Sequence, residues 1–341
     1  MQTIPDYLPE IKTTIERLDQ ALSARRDLIN PAGGNAVRLF SGFYEGASDL
    51  VVDQYGQTLV LFGYHNDPSQ ADEHLTAVQA YLLAKYDWVD CVIQKIRAAQ
   101  APLDRNGRLT FGSRPSSVIV EYGIRYALDL TMHQDASFYL DTRNLRRWLA
   151  DNSNGLRVFN AFAYTGSLGI AALAGGAALV VQVDRSRKFL SLARRSGTLN
   201  RLDIGKMKLR AVDFFSEVSA LKRRGEQFDC IIVDPPFFST TQKGTVDLAA
   251  ESKRVINKVR PLVVDGGYLV VVNNALFLSG EDFMRSLERL CQDGYLAIET
   301  LIPAPPDITG FPQTVCSSPP LSPSPFNHPT KMVVLKVRRK E

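Results

Sequence analysis

The chain has 341 residues, 45% hydrophobic and 22% charged, which suits about two globular domains and excludes a disordered or fibrous protein. No early apolar run reaches the roughly 18 to 20 residues of a membrane span, and MQTIPDYLPEIKTT lacks the basic-then-apolar order of a leader, so a cytoplasmic protein with no membrane contact is expected. Four cysteines without CxxC spacing and four scattered histidines suggest neither a disulfide framework nor a bound metal, and the net charge of +4 permits nucleic-acid contact without arguing for it.

Ile11, Ile15, Leu18 and Leu22 recur at helical spacing and predict an amphipathic helix over 5–28, ended by Pro31-Ala-Gly-Gly34. RLFSG, DLVVD and QTLVLFGY then read as strands, with a turn at Gln54-Tyr55-Gly56 between the last two. A helix over 70–86, a strand at Cys91–Gln94 and a strand pair over 118–130 complete a small α+β domain. The expected division is a helix and linker over 1–34, an α+β domain over 35–132, and a second domain over 133–341.

From residue 156 strands and helices alternate: LRVFN, a helix from Leu168, ALVVQVD, a helix over 187–199, KMKLRAVD and a helix after Phe214. FDCIIVDPPFFS follows, then a helix over 248–260, YLVVVN, a helix over 281–293 and YLAIETLI. Such alternation predicts a doubly wound parallel α/β sheet. Residues 303–329 hold nine of the 18 prolines and read as a functional loop or a mobile connector before a last strand, KMVVLKV. Basic groups at Arg143, Arg146 and Arg147, at Arg185, Arg187 and Lys188, and at Lys222–Arg224 read as solvated helix faces or phosphate sites.

In such a sheet ligands bind at the carboxyl ends of the strands. NAFAYTGSLG (160–169) turns from a strand into a helix and presents backbone amides at a helix start, with Gly166 allowing close approach. Asp184 ends the next strand, about 20 residues on, where a carboxylate can accept from ribose hydroxyls; Asp213 and Phe214 end the third, placed to bond and cover an adenine. Each acid alone also reads as a helix cap. Asp234 ends the fourth, and Pro235 and Pro236 stop strand pairing after it.

Together RLFSGFYEGASDLVVDQYG (38–56), SFYLDTR (137–143) and FNAFAYTGSLG (159–169) resemble the class I S-adenosylmethionine-dependent methyltransferases, in particular the bacterial branch that modifies guanine or cytosine of 23S ribosomal RNA. The resemblance implies a seven-stranded Rossmann-like sheet whose last strand, KMVVLKV, runs antiparallel. It implies S-adenosyl-L-methionine as cofactor, wrapped by Asn160, Ala161, Phe162, Thr165 and Gly166. Asp184, with Arg185 beside it, would hold the ribose and Asp213 the adenine amine, with Phe214 next to it. Phe138, Tyr139, Asp141 and Arg143 would close over the methionine end, with Asp234 at its border.

DPPF is similar to the motif of nitrogen methyltransferases. Asp234 and the Pro235 carbonyl would orient a planar amine, and Phe237 would stack on the base; Phe237 and Phe238 also read as core residues. Cytosine C5 methylation needs a thiolate nucleophile, which such relatives carry at the end of the strand that here reads YLVVVNN. With Asn273 and Asn274 there instead, the expectation is non-covalent methylation of a guanine nitrogen, the two asparagines reading the base. Asp135, Ala136 and Ser137 stand where the branch carries a basic residue, a departure that bears on the RNA substrate. A small-molecule or protein N-methyltransferase, and an RNA-interaction protein with little catalysis, stay open as alternatives, as does a homodimer.

Overall fold

In the computed structural model, residues 9–236, 238–241, 244–247 and 252–339 are described. Contacts divide the chain into one unit of residues 1–140 with 305–319, and a second of 141–304 with 320–341. The division therefore falls at Leu140 and Asp141 rather than near 132, and it assigns the first helix to the first unit instead of setting it apart.

The first unit starts with α1 (Pro9–Ala24), whose Ile11, Ile15, Leu18 and Leu22 are buried as their spacing requires. Strands β1 (Ala36–Ser41), β2 (Leu50–Tyr55) and β3 (Thr58–Gly63) follow, with a short helix α2 (Gly42–Glu45) between the first two. Gln54 and Tyr55 still pair with Leu59 and Thr58, so the hairpin turns at Gly56 and Gln57, one residue later than expected. Gly56, at φ +57°, supplies the left-handed backbone that this tight turn requires.

Helix α3 (Pro68–Lys85) carries the chain to β4 (Cys91–Ile96), which pairs parallel with β3. The short α4 (Pro102–Asn106) and the strand β5 (Arg108–Phe111) complete a sheet in the order β1-β2-β3-β4-β5; neither element was expected. The strands β6 (Val118–Glu121) and β7 (Ile124–Ala127) form a separate hairpin. Lys95 is fully buried and donates to the carbonyls of His133 (2.8 Å) and Asp135 (3.2 Å), tethering the 130s segment where the basic residue of the related motif is missing.

The second unit opens on α5 (Arg143–Asn152), also unexpected, then β8 (Arg157–Ala161), α6 (Ser167–Ala174), β9 (Leu179–Asp184), α7 (Arg187–Leu199), β10 (Met207–Ala211) and α8 (Phe214–Arg223). Next come β11 (Phe228–Val233), a hairpin of β12 (Phe238–Thr241) and β13 (Gly244–Asp247), α9 (Ser252–Val259), β14 (Val263–Asn273), α10 (Gly280–Cys291) and β15 (Leu296–Ile302). The chain then contributes α11 (Pro306–Thr309) to the first unit and returns with β16 (Lys331–Val337).

Among the described residues this sheet has seven strands in the order β10-β9-β8-β11-β14-β16-β15, with β16 antiparallel to both neighbours. β9, β8, β11 and β14 are parallel, so Asp184, Ala161, Val233 and Asn273 end on one edge. Their apolar runs, such as Cys230–Val233 and Leu269–Val272, are buried on both faces, which is why they read in the sequence as continuous strands.

Apart from the short α11 the Pro-rich segment is irregular, yet it is held by specific contacts. Prolines cannot supply amide donors, so side chains and a few free amides hold it. Within the second unit Asn327 exchanges two 2.9 Å bonds with the backbone of Ala304, Gly280 donates to Ser322, and Phe326 packs on Phe283. In the first unit Asp307 accepts from the Arg38 amide, and Thr314 donates to Glu45.

Candidate active site

The turn after β8 carries backbone strain. Phe162 and Tyr164 have φ of +58° and +51°, left-handed values that non-glycine residues rarely take, and Gly166 has +79°. Gly166 is required twice over, because a Cβ there would lie 2.5 Å from the Ala193 Cβ and 2.7 Å from Gln182 Oε1. Three contacts keep the turn in place. The Tyr164 amide donates to Asp184 Oδ2 (2.9 Å), the Tyr164 ring meets Phe189 of α7 edge-on at 4.6 Å, and Asn160 Nδ2 donates to Gln182 Oε1 (3.1 Å).

Asn160 and Gln182 are directly opposite in the β8–β9 ladder. The latter amide, fully buried, is the prop that sequence reasoning missed. Its signal was present as a lone polar residue inside the apolar run ALVVQVD.

Asp184 ends β9 as expected, its carboxyl pushed up by burial against the opposing pull of the Ser186 and Tyr164 amides. Oδ2 accepts from the Tyr164 amide and Oδ1 from the Ser186 amide. Asp213 caps α8 by accepting from the Ser216 amide at 3.1 Å, the bland role anticipated for such an acid. Phe214 is buried in the core, with its ring against Phe162 (4.5 Å) and Phe215 (5.0 Å), so it does not offer a face to an adenine. Arg185 is exposed just past β9, and Thr165 is buried within the turn.

Asp234 follows β11, level with the start of the β8 turn. Burial first, and then the nearby Asp141 carboxylate, push its carboxyl up to about 7. Asp141 Oδ2 accepts from Thr330 (2.7 Å), while its Oδ1 is buried with no hydrogen-bond partner. Asn160 Oδ1 and Asn274 Oδ1 are likewise buried and unpartnered. A folded chain seldom leaves such acceptors dry and unpaired. Three on one unit, two of them at the carboxyl edge of β8 and β14 and the third beside Asp234, mark a site that a ligand with hydrogen-bond donors and positive charge would satisfy.

The expected roles divide further on inspection. Asn273 is fully buried, donates to Ser252 Oγ (3.0 Å) and accepts from the Ala275 amide (3.0 Å), so its amide shapes the turn after β14 rather than facing a ligand. Lys331, opposite it on β16, donates to the Ala275 and Pro329 carbonyls, with burial pulling its ammonium down to about 8. Asn274 is thus the member of the pair whose side-chain oxygen the chain leaves without a partner. Leu276 and Phe277, 65% and 52% exposed, follow it and were not anticipated.

Pro235 is buried and Pro236 exposed. Phe237 and the side chain of Phe238 lie outside the described residues. Arg143 begins α5. Phe138 and Tyr139 belong to the first unit, where Phe138 packs on Tyr126 and Tyr139 donates to Asp135. Among the described residues no group of three or more His, Cys, Asp or Glu is placed to hold a metal, and no helix is long and apolar enough to cross a membrane.

A parallel sheet with a reversed seventh strand, a glycine turn after its first strand and acids at three successive strand ends defines a Rossmann-like nucleoside-cofactor methyltransferase class. The comparisons agree. A family model described as S-adenosylmethionine-dependent methyltransferase matches residues 106–310. The chain is 31% identical over 271 residues to Ribosomal RNA large subunit methyltransferase I of Serratia proteamaculans, covering 78% of this chain and 68% of that one. It is 30% identical over 287 residues to the protein of that name in Escherichia coli, covering 82% and 71%.

The solved structure of the methyltransferase SMU.776, complexed with SAH, has the same fold at TM-score 0.82 and 21% identity, covering 97% of this chain and 83% of that one. The chain belongs to the S-adenosylmethionine-dependent methyltransferase family and is an enzyme that uses S-adenosylmethionine.

Proposed function

We propose that the chain methylates a guanine nitrogen of large-subunit (23S) ribosomal RNA without a covalent intermediate. The RNA substrate is taken from the names of the relatives. The observation that carries the nitrogen chemistry is a strand-end edge with unpaired acceptors, to which neither cysteine of the same unit, Cys230 or Cys291, is brought. Cys230 sits inside β11, four residues and about 13 Å before Asp234 at the usual strand rise. Burial pushes the Cys230 thiol up to about 12, which keeps it un-ionised. Cys291 closes α10, and Cys91 and Cys316 belong to the other unit.

When bound, S-adenosylmethionine supplies an electrophilic methyl on a sulfonium. In this reading Asn160 Oδ1 and Asp141 Oδ1 accept from its donors and oppose its charge, Asp184 binds the ribose, and the Tyr164–Gly166 backbone fits close to it. Asp234, ionised, and Asn274 Oδ1 accept from the ring and exocyclic N–H groups of a guanine. That fixes the base so that a ring lone pair or the exocyclic amine meets the methyl, and positioning does most of the work. Phe237, and Phe277 beside Asn274, are the aromatic surfaces for stacking. A ring nitrogen such as N7 has no proton to lose, so no base is needed there; at the exocyclic amine Asp234 is the acceptor for the departing proton.

The test is methyl transfer to deproteinised ribosomal RNA by Cys230→Ala and Cys291→Ala. Both variants should retain transfer within a few-fold. Abolished transfer in a variant that stays folded contradicts the non-covalent reading.

A further inference from the structure

Charge is distributed unevenly over the second unit. Between Arg185 and Val212 the chain carries nine lysines and arginines against a single acid, Asp203, whereas the whole chain nets only +4. The stretch spans α7 and β10, the edge strand of the sheet. Met207 faces inward on β10, while Lys208 and Arg210 project to solvent on the alternate positions, about 6.6 Å apart at the usual rise. Lys206, in the turn just before β10, is exposed as well. On α7, Arg187 and Arg194 are two turns apart on one face, and together with Arg210 they line an open groove of about 470 Å³.

Elsewhere in this unit exposed arginines are commonly matched, as Arg147 is with Asp151, Arg260 with Asp293 and Arg285 with Asp282. Among the described residues, Arg187, Arg194, Lys206, Lys208 and Arg210 have no carboxylate within ion-pair distance. Asp203 accepts instead from the Gly205 amide. Lysines on an edge strand can simply deter pairing with another sheet. That explanation covers β10 but not the arginines of α7, which lie on no strand edge. Concentrated unpaired charge repels itself, and a polyanion is what relieves it.

The groove also leads to the reacting edge. Ala211 pairs with Asp184, so Arg210 lies one residue short of the level of the ribose carboxylate. β10 and β11 are three strand spacings apart, about 14 Å, which a few nucleotides span.

We infer that the groove between α7 and β10 binds the phosphate backbone of the RNA flanking the methylated base. This rests on the RNA reading above. Phosphate contacts position a nucleic acid without reading its sequence, which is the role left for a site away from the acceptor edge.

The test uses full-length protein and deproteinised large-subunit ribosomal RNA. The triple variant Arg187→Ala/Arg194→Ala/Arg210→Ala is compared with the parent and with a control, Arg147→Ala/Arg260→Ala/Arg285→Ala. Losing three phosphate contacts should make the slope of log affinity against log salt shallower by about two. RNA affinity should fall at least about tenfold with cofactor affinity unchanged, KM for RNA should rise with kcat preserved, and the control should behave as the parent.

If the parent binds and methylates RNA and the triple variant matches it, the groove assignment is overturned while the proposed function stands. If the parent neither binds nor methylates RNA, both fall. Loss confined to binding of an acidic polypeptide such as polyglutamate makes the groove a protein-docking surface and also overturns the inference.

Discussion

Two buried polar clusters, one in each unit, are built on opposite principles. In the first unit Arg25 and Glu45 are almost wholly buried and meet in a fork, at 2.8 and 3.1 Å. Arg25 also donates to the Asp307 carbonyl, and the Glu45 oxygens take the Ser41 amide and the Thr314 hydroxyl. In the second unit Asp141, Asn160 and Asn274 each keep a buried oxygen unpaired, and Asp234 faces a like charge. In the fork the two charges answer each other and only Arg25 Nε stays without a partner, whereas at the second cluster three acceptor oxygens are left for a ligand to answer, and the free protein is less stable for it.

Breaking the first cluster should have the largest effect. Arg25→Met leaves Glu45 charged and uncompensated, so denaturant unfolding should show a loss of about 3 to 5 kcal/mol. A loss under about 1 kcal/mol means that the fork contributes little.

Asp234→Asn should act in the reverse sense on stability. Unfolded, this group titrates near 3.9; folded, near 7. Between those values the folded state holds the extra proton, so the group's contribution falls as pH rises through that window, and the penalty is complete above about 7. The variant should therefore be more stable than the parent at pH 8 and indistinguishable from it near pH 4, while methyl transfer drops roughly 100-fold, about 2.7 kcal/mol.

Gly166→Ala comes next. Its left-handed backbone and the close Ala193 and Gln182 atoms predict about 1 to 3 kcal/mol lost in stability, with weaker cofactor binding by calorimetry. Unchanged affinity removes the turn from the cofactor site.

The smallest effect is in the pH profile. kcat/KM of the parent should rise through about pH 7 as Asp234 ionises in the free enzyme, and the rise should vanish in Asp234→Asn.

The second unit was the more legible from sequence, for a physical reason. Strands buried on both faces read as apolar runs, and their ends are marked by the residue that leaves the sheet, so α7 and β16 fall where expected and Asp184 and Asp234 sit at the edge. Residues whose roles depend on distant partners were not legible. Asn273 and Asn274 are adjacent and chemically identical, yet only contact with Ser252 and Ala275 shows that the first is spent on the turn.

Phe214 reads equally well as a lid or as core until the Phe162 ring is seen against it. The fork between Arg25 and Glu45 closes with Asp307, 282 residues from Arg25, and no local period announces it. α5 was missed because its three arginines, one of them the fully buried Arg146, dilute the helical pattern of Leu145 and Leu149.

The most direct measurement is mass spectrometry of nucleosides from deproteinised large-subunit ribosomal RNA after transfer of labelled methyl from S-adenosylmethionine. A labelled methylguanosine, formed by the parent and reduced roughly 100-fold by Asp234→Asn, is the predicted result. Labelled 5-methylcytidine would contradict the account, because it requires a thiolate at an edge to which this unit brings only amide and carboxylate oxygens.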